Sequence, residues 1–162
     1  MYIPFEEMPN TSRVWVYQST RKFSPQEKEL VISKLSQFCR NWNTHGNSMP
    51  SSFDIQYDQI IILSVDESNL GASGCSIDSS VRTLREIEQQ LGVNLLDQGK
   101  VSFIGQGEVI TGKFQDIKNF IHSGDLREDT PVFNPMVHKK EDLGENWLIP
   151  ARESWLNKYF VN

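Results

Sequence analysis

The chain has 162 residues, of which 38% are hydrophobic and 23% are charged, and its formal net charge is -5. This composition can form a packed core and argues against disorder. The negative charge argues against a nucleic-acid partner, because such binding depends largely on neutralising phosphates. No apolar run approaches the ~20 residues of a membrane span, and the first seven residues lack the pattern of a signal peptide. We therefore expect a cytoplasmic protein with no membrane partner.

The cysteine and histidine content gives no sign of a disulfide scaffold or a metal site. The chain has two cysteines, Cys39 and Cys75, and no CxxC motif. None of the three histidines stands at ligand spacing from either cysteine. We expect no disulfide, no metal and no cofactor.

Hydrophobic periodicity predicts six elements in the order strand, helix, strand, strand, helix, strand. Ser24, Pro25 and Glu27 form a typical helix start with a capping box, and Gly46 is the expected stop of that helix. Gly92 is the expected stop of the second helix. The apolar run at 60–65 is typical of a strand covered on both faces. The predicted strands are residues 13–19, 53–57, 60–65 and 101–104.

This order is that of a split βαβ, or ferredoxin-like, α+β fold with both helices on one face of an antiparallel sheet. Another α+β arrangement of the same elements is the alternative. Residues 105–162 add a strand at 108–111, a short helix that stops at Gly124, and an extended segment at 130–133. We expect one domain over 1–162, with a core at 13–104. Residues 105–162 would then form a cap on the open sheet face, towards which Trp15 and Tyr17 would point.

Several segments resemble a family of uncharacterised bacterial proteins whose members are often labelled "ABC transporter ATPase". The resemblance covers essentially the whole chain and implies no activity. It is carried by YIPFE (2–6), RVWVYQS (13–19), THG (44–46), VDES (65–68), GASGCSID (71–78), DTPVFN (129–134), Trp147 and Trp155.

The ATPase label fails on the residues that the chemistry requires. ATPases of this type need GxxxxGK[ST], in which backbone N–H groups and the lysine hold the phosphates. The closest stretch, residues 71–76, has the sequence Gly-Ala-Ser-Gly-Cys-Ser and contains no lysine. We reject the label.

The topology predicts one place where a site could form. The loop after the first helix contains His45, and the loop after the third strand runs from Asp66 into a helix N-terminus, so the two loops should meet at one sheet edge. A helix N-terminus carries free N–H groups and a partial positive charge. We therefore take Gly71, Ser73, Gly74, Cys75, Ser76 and His45 as candidate ligand-binding residues for a small anion.

Three interpretations of these loops remain open. The first is structural, with Ser76 as a helix cap and His45 beside a helix C-terminus. The second is binding of a small anionic ligand or of a protein partner. The third is a small enzyme in which the helix field favours a Cys75 thiolate, with His45 as base and Asp66 as a further candidate.

Overall fold

The computed structural model describes residues 1–161, which divide into two compact units. The first unit contains residues 1–96 and 138–141, and the second contains 97–137 and the described residues from 142 onward. Each unit has its own antiparallel sheet and its own buried hydrophobic cluster. The predicted α+β class is confirmed.

The sheet of the first unit has the strand order β1-β5-β4, with antiparallel pairing throughout. β4 and β5 are joined by a tight turn whose central residues, Tyr57 and Asp58, both have φ +56°. Every residue of β5 is buried, as the apolar run predicts. The elements of this unit are β1 (Arg13–Gln18), α1 (Pro25–Asn41), β2 (Asn43–Thr44), β3 (Asn47–Ser48), β4 (Ser51–Gln56), β5 (Ile60–Val65) and α2 (Gly74–Leu91).

The helix starts and stops are partly as predicted. Ser24 caps α1 through the expected capping box with Glu27, and Gly92 ends α2 in the left-handed conformation. The predicted stop of α1 at Gly46 is wrong, because the helix ends at Asn41 and the chain then forms the β2-β3 hairpin. Gly46 does have a left-handed φ of +81°, but this conformation forms the turn of the hairpin and does not cap the helix.

The predicted orientation of Trp15 and Tyr17 is also wrong. Tyr17 belongs to the buried cluster that contains Leu35 of α1 and Leu84 of α2, and Trp15 packs against the same cluster. The aromatic residues of β1 therefore face the helices, and Val14 and Val16 take the other side of the sheet. Strict alternation gives two faces without saying which is the core, and here the larger side chains fill the layer between sheet and helices.

The second unit is built around a four-stranded sheet of order β7-β6-β8-β9. The predicted strand at 108–111, which forms a hairpin with the strand at 101–104, the short helix and the extended segment at 130–133 are confirmed. Two short 3-10 helices, Ala151–Glu153 and Trp155–Tyr159, complete its C-terminal part. The elements are β6 (Lys100–Gly105), β7 (Glu108–Lys113), α3 (Ile117–Ser123), β8 (Pro131–Phe133) and β9 (Leu148–Pro150).

The strand pairing departs from the ferredoxin-like expectation at the fourth strand. The order β1-β5-β4 reproduces three of the four expected positions, but residues 101–104 lie in β6, which pairs with β7 and β8. The remaining edge of β1 instead meets residues 138–139, and the N–H of Val14 donates to the carbonyl of His138 at 3.0 Å. A single four-stranded ferredoxin-like sheet is therefore not formed. The second edge of β6 pairs with β8, which lies nearer to β6 in the sequence than β1 does, so this pairing closes the shorter loop at the lower entropic cost.

The predicted boundary between core and cap, at residues 104 and 105, falls within the β6-β7 hairpin, whereas the two units part between Leu96 and Asp97. The organisation as one domain, and the cover of the open sheet face by residues 105–162, stay predictions.

The side chain of Arg21 joins the start of α1 to the end of α2. The guanidinium of Arg21 donates to both carboxylate oxygens of Glu27 at 2.7 Å, and also to the carbonyl of Leu91 at 2.9 Å. The hydrogen bonds from Arg21, with that from the N–H of Ser24, lower the pKa of Glu27 to about 2.

We expect Glu27→Gln to lower the free energy of unfolding by an amount that depends on pH. Glutamine can keep the capping contacts but loses the charge that binds Arg21. A depressed pKa stabilises the fold above the unfolded value of 4.5 and loses this effect as the pH falls towards about 2. Urea unfolding of both proteins should therefore show a difference at pH 7 that shrinks between pH 4.5 and about 2. A difference that is constant over this range would contradict the expectation.

Packing in the second unit requires glycine at position 112. A Cβ there would lie 2.5 Å from Cε2 of Phe120, whose ring packs edge-on against Phe103. We expect Gly112→Ala to lower the free energy of unfolding by about 1–3 kcal/mol, the usual cost of overpacking. Gly105→Ala is the matched control, because its Cβ would lie 2.5 Å from Cδ1 of Ile110, the flexible end of that side chain, and at an ordinary contact distance of 3.7 Å from Phe103. Equal melting temperatures for the two variants would refute this account.

Candidate functional site

The β2-β3 hairpin and the start of α2 form the candidate site of the first unit. His45 and Gly46 are the turn residues of the hairpin, with φ of +50° and +81°. Left-handed conformations at both turn positions are typical of a type I′ turn, which suits two-residue hairpins. His45 therefore does not cap α1, as the structural interpretation had it, and it projects from the tip of a hairpin.

The N-terminus of α2 begins earlier than the sequence suggests. Ser73 is the N-cap, and its side chain accepts a hydrogen bond from the N–H of Ser76 at 3.1 Å. The carbonyl of Ser73 accepts from the N–H of Ile77 at 3.0 Å. Ser76 is thus the third helical residue, and its predicted role as N-cap is wrong. The N–H groups of Gly74 and Cys75, at the first two helical positions, have no partner within the helix and point outward from its start.

Two hydrogen bonds hold the hairpin region against this helix start. The N–H of Ser73 donates to the hydroxyl of Thr44 at 3.1 Å. The indole N–H of Trp42 donates to the carbonyl of Ser76 at 2.9 Å in a buried position. Trp42 is the C-cap of α1 and is only 2% exposed, so the end of α1 is tied to the first turn of α2. The predicted meeting of the two loops is therefore seen in the structure.

A cavity of about 460 Å³ lies where they meet. One wall comes from the end of α1 and the hairpin, and the other from α2. The first wall contains Phe38, Asn41, Trp42, Asn43, His45 and Gly46. The second contains Ser73, Cys75, Ser76 and Ser79.

The candidate residues named from the sequence divide into two groups. His45, Ser73, Cys75 and Ser76 line the cavity. Gly71, Gly74 and Asp66 are not among its lining residues, although a Cβ on Gly74 would meet only open space.

Asp66 and its neighbour Glu67 shape the preceding loop. A carboxylate oxygen of Asp66 accepts from the N–H of Ser68 at 2.9 Å. The carboxylate of Glu67 accepts from the N–H of Ala72 at 2.7 Å and lies 3.7 Å from Arg13. Both carboxylates therefore satisfy backbone groups of the loop, and this arrangement positions Ser73 for its capping role.

The aromatic side of the cavity was missed by the sequence analysis. Phe38 and Trp42 stand at helical spacing, which predicts only that they face the core; Trp42 belongs to the buried cluster, and Phe38 packs against it. Their ring centroids are 4.8 Å apart, and the ring of Trp15 lies 6.0 Å from that of Trp42. The available signal was their spacing of four residues at the end of α1, directly beside the polar Asn41 and Asn43.

Nucleophile chemistry at the cavity would depend on Cys75 and His45. Both line it, and Cys75 is exposed. Within residues 1–161, no hydrogen bond joins the two side chains, and no group of three or more His, Cys, Asp or Glu residues could hold a metal ion. Thiol and imidazole thus share a cavity without forming an assembled pair.

The chain matches no protein-family model, no curated protein and no solved structure at a significant level. In the part of the chain that the structure describes, none of the helices has the length and apolar character needed to cross a membrane.

The two cysteines should differ sharply in their reactivity with iodoacetamide, which alkylates thiolates. Cys39 is buried, and this burial raises its pKa to about 11, whereas Cys75 is exposed. We expect the native protein to take up one label at pH 8, and mass spectrometry should place it on Cys75. Cys75→Ser should take up none until urea unfolds it. A label on Cys39 in the folded variant would contradict this assignment.

Proposed function

We propose that the protein binds a small anionic ligand in the cavity between the β2-β3 hairpin and α2. The observation that carries this proposal is that the first turn of α2 and a wall of aromatic rings meet in one cavity. Cys75, which has an uncommitted N–H group, lines this cavity, and the uncommitted N–H group of Gly74 is next to it in the chain. The volume of about 460 Å³ lies within the roughly 300–1,000 Å³ that is usual for small-molecule sites.

The electrostatics of the cavity favour a negative group over a positive one. None of its lining residues is acidic, although the chain has a net charge of -5. The N-terminus of α2, a helix of 18 residues, places a partial positive charge at Gly74 and Cys75. Because no lysine or arginine lines the cavity, N–H groups and amides would hold the anion.

The aromatic wall indicates the rest of the ligand. Phe38 is half-buried and lines the cavity, and Trp42, whose ring is 4.8 Å from that of Phe38 between centroids, lines it too. The amides of Asn41 and Asn43 can donate to or accept from a polar substituent. A ligand with a phosphate or carboxylate at Gly74 and Cys75, and a flat apolar part against Phe38, uses both features.

A second function, a small enzyme with Cys75 as thiol nucleophile and His45 as base, is favoured by one observation. Both side chains line the same cavity. Asp66, the third candidate, binds its own loop instead and would not orient the imidazole. In this case Cys75 should be alkylated rapidly at neutral pH, and His45→Ala should slow that reaction.

Binding of a protein partner is the other form of the proposal. A concave cavity of this size is typical of small-molecule sites, so it suits a small molecule better than it suits the flat surface of a protein partner.

We also propose that the protein works in a bacterial cytoplasm, on the grounds of its composition, its unpaired cysteines and the resemblance described above, and that it is not an ABC ATPase.

The test is ligand-induced stabilisation measured with inorganic phosphate, phenyl phosphate and benzoate. A ligand at 100 times its dissociation constant should add about 2.7 kcal/mol of stability, which raises the melting temperature by several degrees. Gly74→Pro should abolish this gain, because proline suits the first helical position but has no N–H. Gly74→Ala keeps the N–H, and its Cβ meets open space, so it is the matched control.

The pattern across variants separates the proposals. If the ligand no longer stabilises Gly74→Pro but still stabilises Gly74→Ala and Cys75→Ser, the result supports an anion site formed by backbone N–H groups. If the ligand no longer stabilises Cys75→Ser but still stabilises Gly74→Pro, the result favours the second function, in which the thiol of Cys75 is the reactive group. No stabilisation of the parent protein by any of the three compounds would refute anion binding at this cavity.

A further inference from the structure

The second unit contains a cavity of its own. It has a volume of about 520 Å³ and lies between α3 and the 3-10 helix Trp155–Tyr159. Its lining residues are Lys118, Ile121, His122, Lys158 and Tyr159.

Two of the three basic residues of this cavity lie on α3, and the third, Lys158, lies on the 3-10 helix. Lys118 and His122 are four residues apart in α3 and therefore share a face of the helix. Ile121 and Tyr159 are half-buried and pack against the hydrophobic cluster of the second unit. The cavity thus has a floor that is anchored in the core, and its rim carries the ammonium groups of Lys118 and Lys158.

The ammonium group of Lys158 is held over aromatic rings. It lies 5.5 Å from the ring centroid of Tyr159 and 5.9 Å from that of Trp155. Attraction between a cation and the ring face restrains the long side chain and keeps its charge at the cavity. A position of this kind leaves the N–H donors of the ammonium available to a ligand.

Neither lysine of the cavity is neutralised by the protein. Among the described residues, Lys118 and Lys158 form no ion pair with a carboxylate, whereas Lys28 and Lys34 do. Two lysines without a carboxylate partner around one cavity, in a chain of net charge -5, form a local field that attracts anions, and the imidazole of His122 beside them can donate a hydrogen bond.

We propose that this cavity is a second binding site, for a small aromatic compound that carries a phosphate or carboxylate group. The anionic group binds between Lys118 and Lys158, and the ring packs on Tyr159 and Ile121. The site is concave and has two lysines, which suits one compact ligand; a nucleic-acid strand would need a longer basic track. The proposal uses none of the residues of the first cavity and does not depend on the function proposed there.

The probe is 1-naphthyl phosphate, added to the full-length ¹⁵N-labelled protein and followed by the amide NMR shifts of Lys118, His122 and Lys158. These shifts report on this cavity alone and give its dissociation constant. We expect saturable shifts, and at least tenfold weaker binding in the double variant Lys118→Gln, Lys158→Gln. Lys113→Gln, a change in an exposed lysine of the same unit outside the cavity, should bind as the parent does.

The two parts of the ligand are tested separately. 1-Naphthol has the ring without the charge, and inorganic phosphate has the charge without the ring, so each should bind at least tenfold more weakly than 1-naphthyl phosphate. Gly74→Pro should leave the binding here unchanged, which shows that the first cavity is not involved. Absence of saturable shifts, unchanged affinity in the double lysine variant, or equal affinity for 1-naphthol would overturn the proposal. Equal affinity for inorganic phosphate would overturn its aromatic part.

Discussion

The buried hydrogen bond from the indole N–H of Trp42 to the carbonyl of Ser76 is the contact on which the first cavity depends. It satisfies a donor that would otherwise be costly to bury, so the end of α1 and the first turn of α2 must come together. The Ser73 to Thr44 bond adds the hairpin to this junction. Phe38, His45 and Cys75 line one cavity because these two bonds bring together segments that lie some thirty residues apart in the chain.

The same junction explains how one set of residues both packs the core and forms the wall of the candidate site. Trp42 is a core residue by burial, yet the cavity reaches its ring. Asp66 and Glu67 use their carboxylates on the backbone of their own loop, which keeps negative charge directed at that loop. The helix N-terminus can therefore present Gly74 and Cys75 without an acidic side chain in the cavity wall.

The parts of the candidate site that depend on local sequence could be predicted, and the parts that depend on tertiary packing were missed. A Gly-Ser loop that enters a helix after a buried strand indicated where free N–H groups would be, and the structure confirms a helix start there, three residues earlier than expected. The role of Phe38 and Trp42 as a cavity wall could not be predicted, because an apolar stripe shows which residues are buried and not which ring edges stay open. The second cavity was missed for a related reason: Lys118 and Lys158 are forty residues apart, and only tertiary packing sets α3 beside the 3-10 helix at Trp155.

The sequence by itself determined the elements whose cause is local. The capping box at Ser24 and Glu27 starts α1, the apolar run of β5 requires cover on both faces, and Gly92 and Gly124 end their helices in left-handed conformations. Tertiary structure alone decided that Trp15 and Tyr17 face the helices, and that the second edge of β6 pairs with β8 and not with β1. The physical reason is that alternation in a strand has two equivalent faces, and a strand edge offers the same N–H and C=O groups to any partner. The choice then depends on which packing buries the large rings, and on which pairing closes the shorter loop.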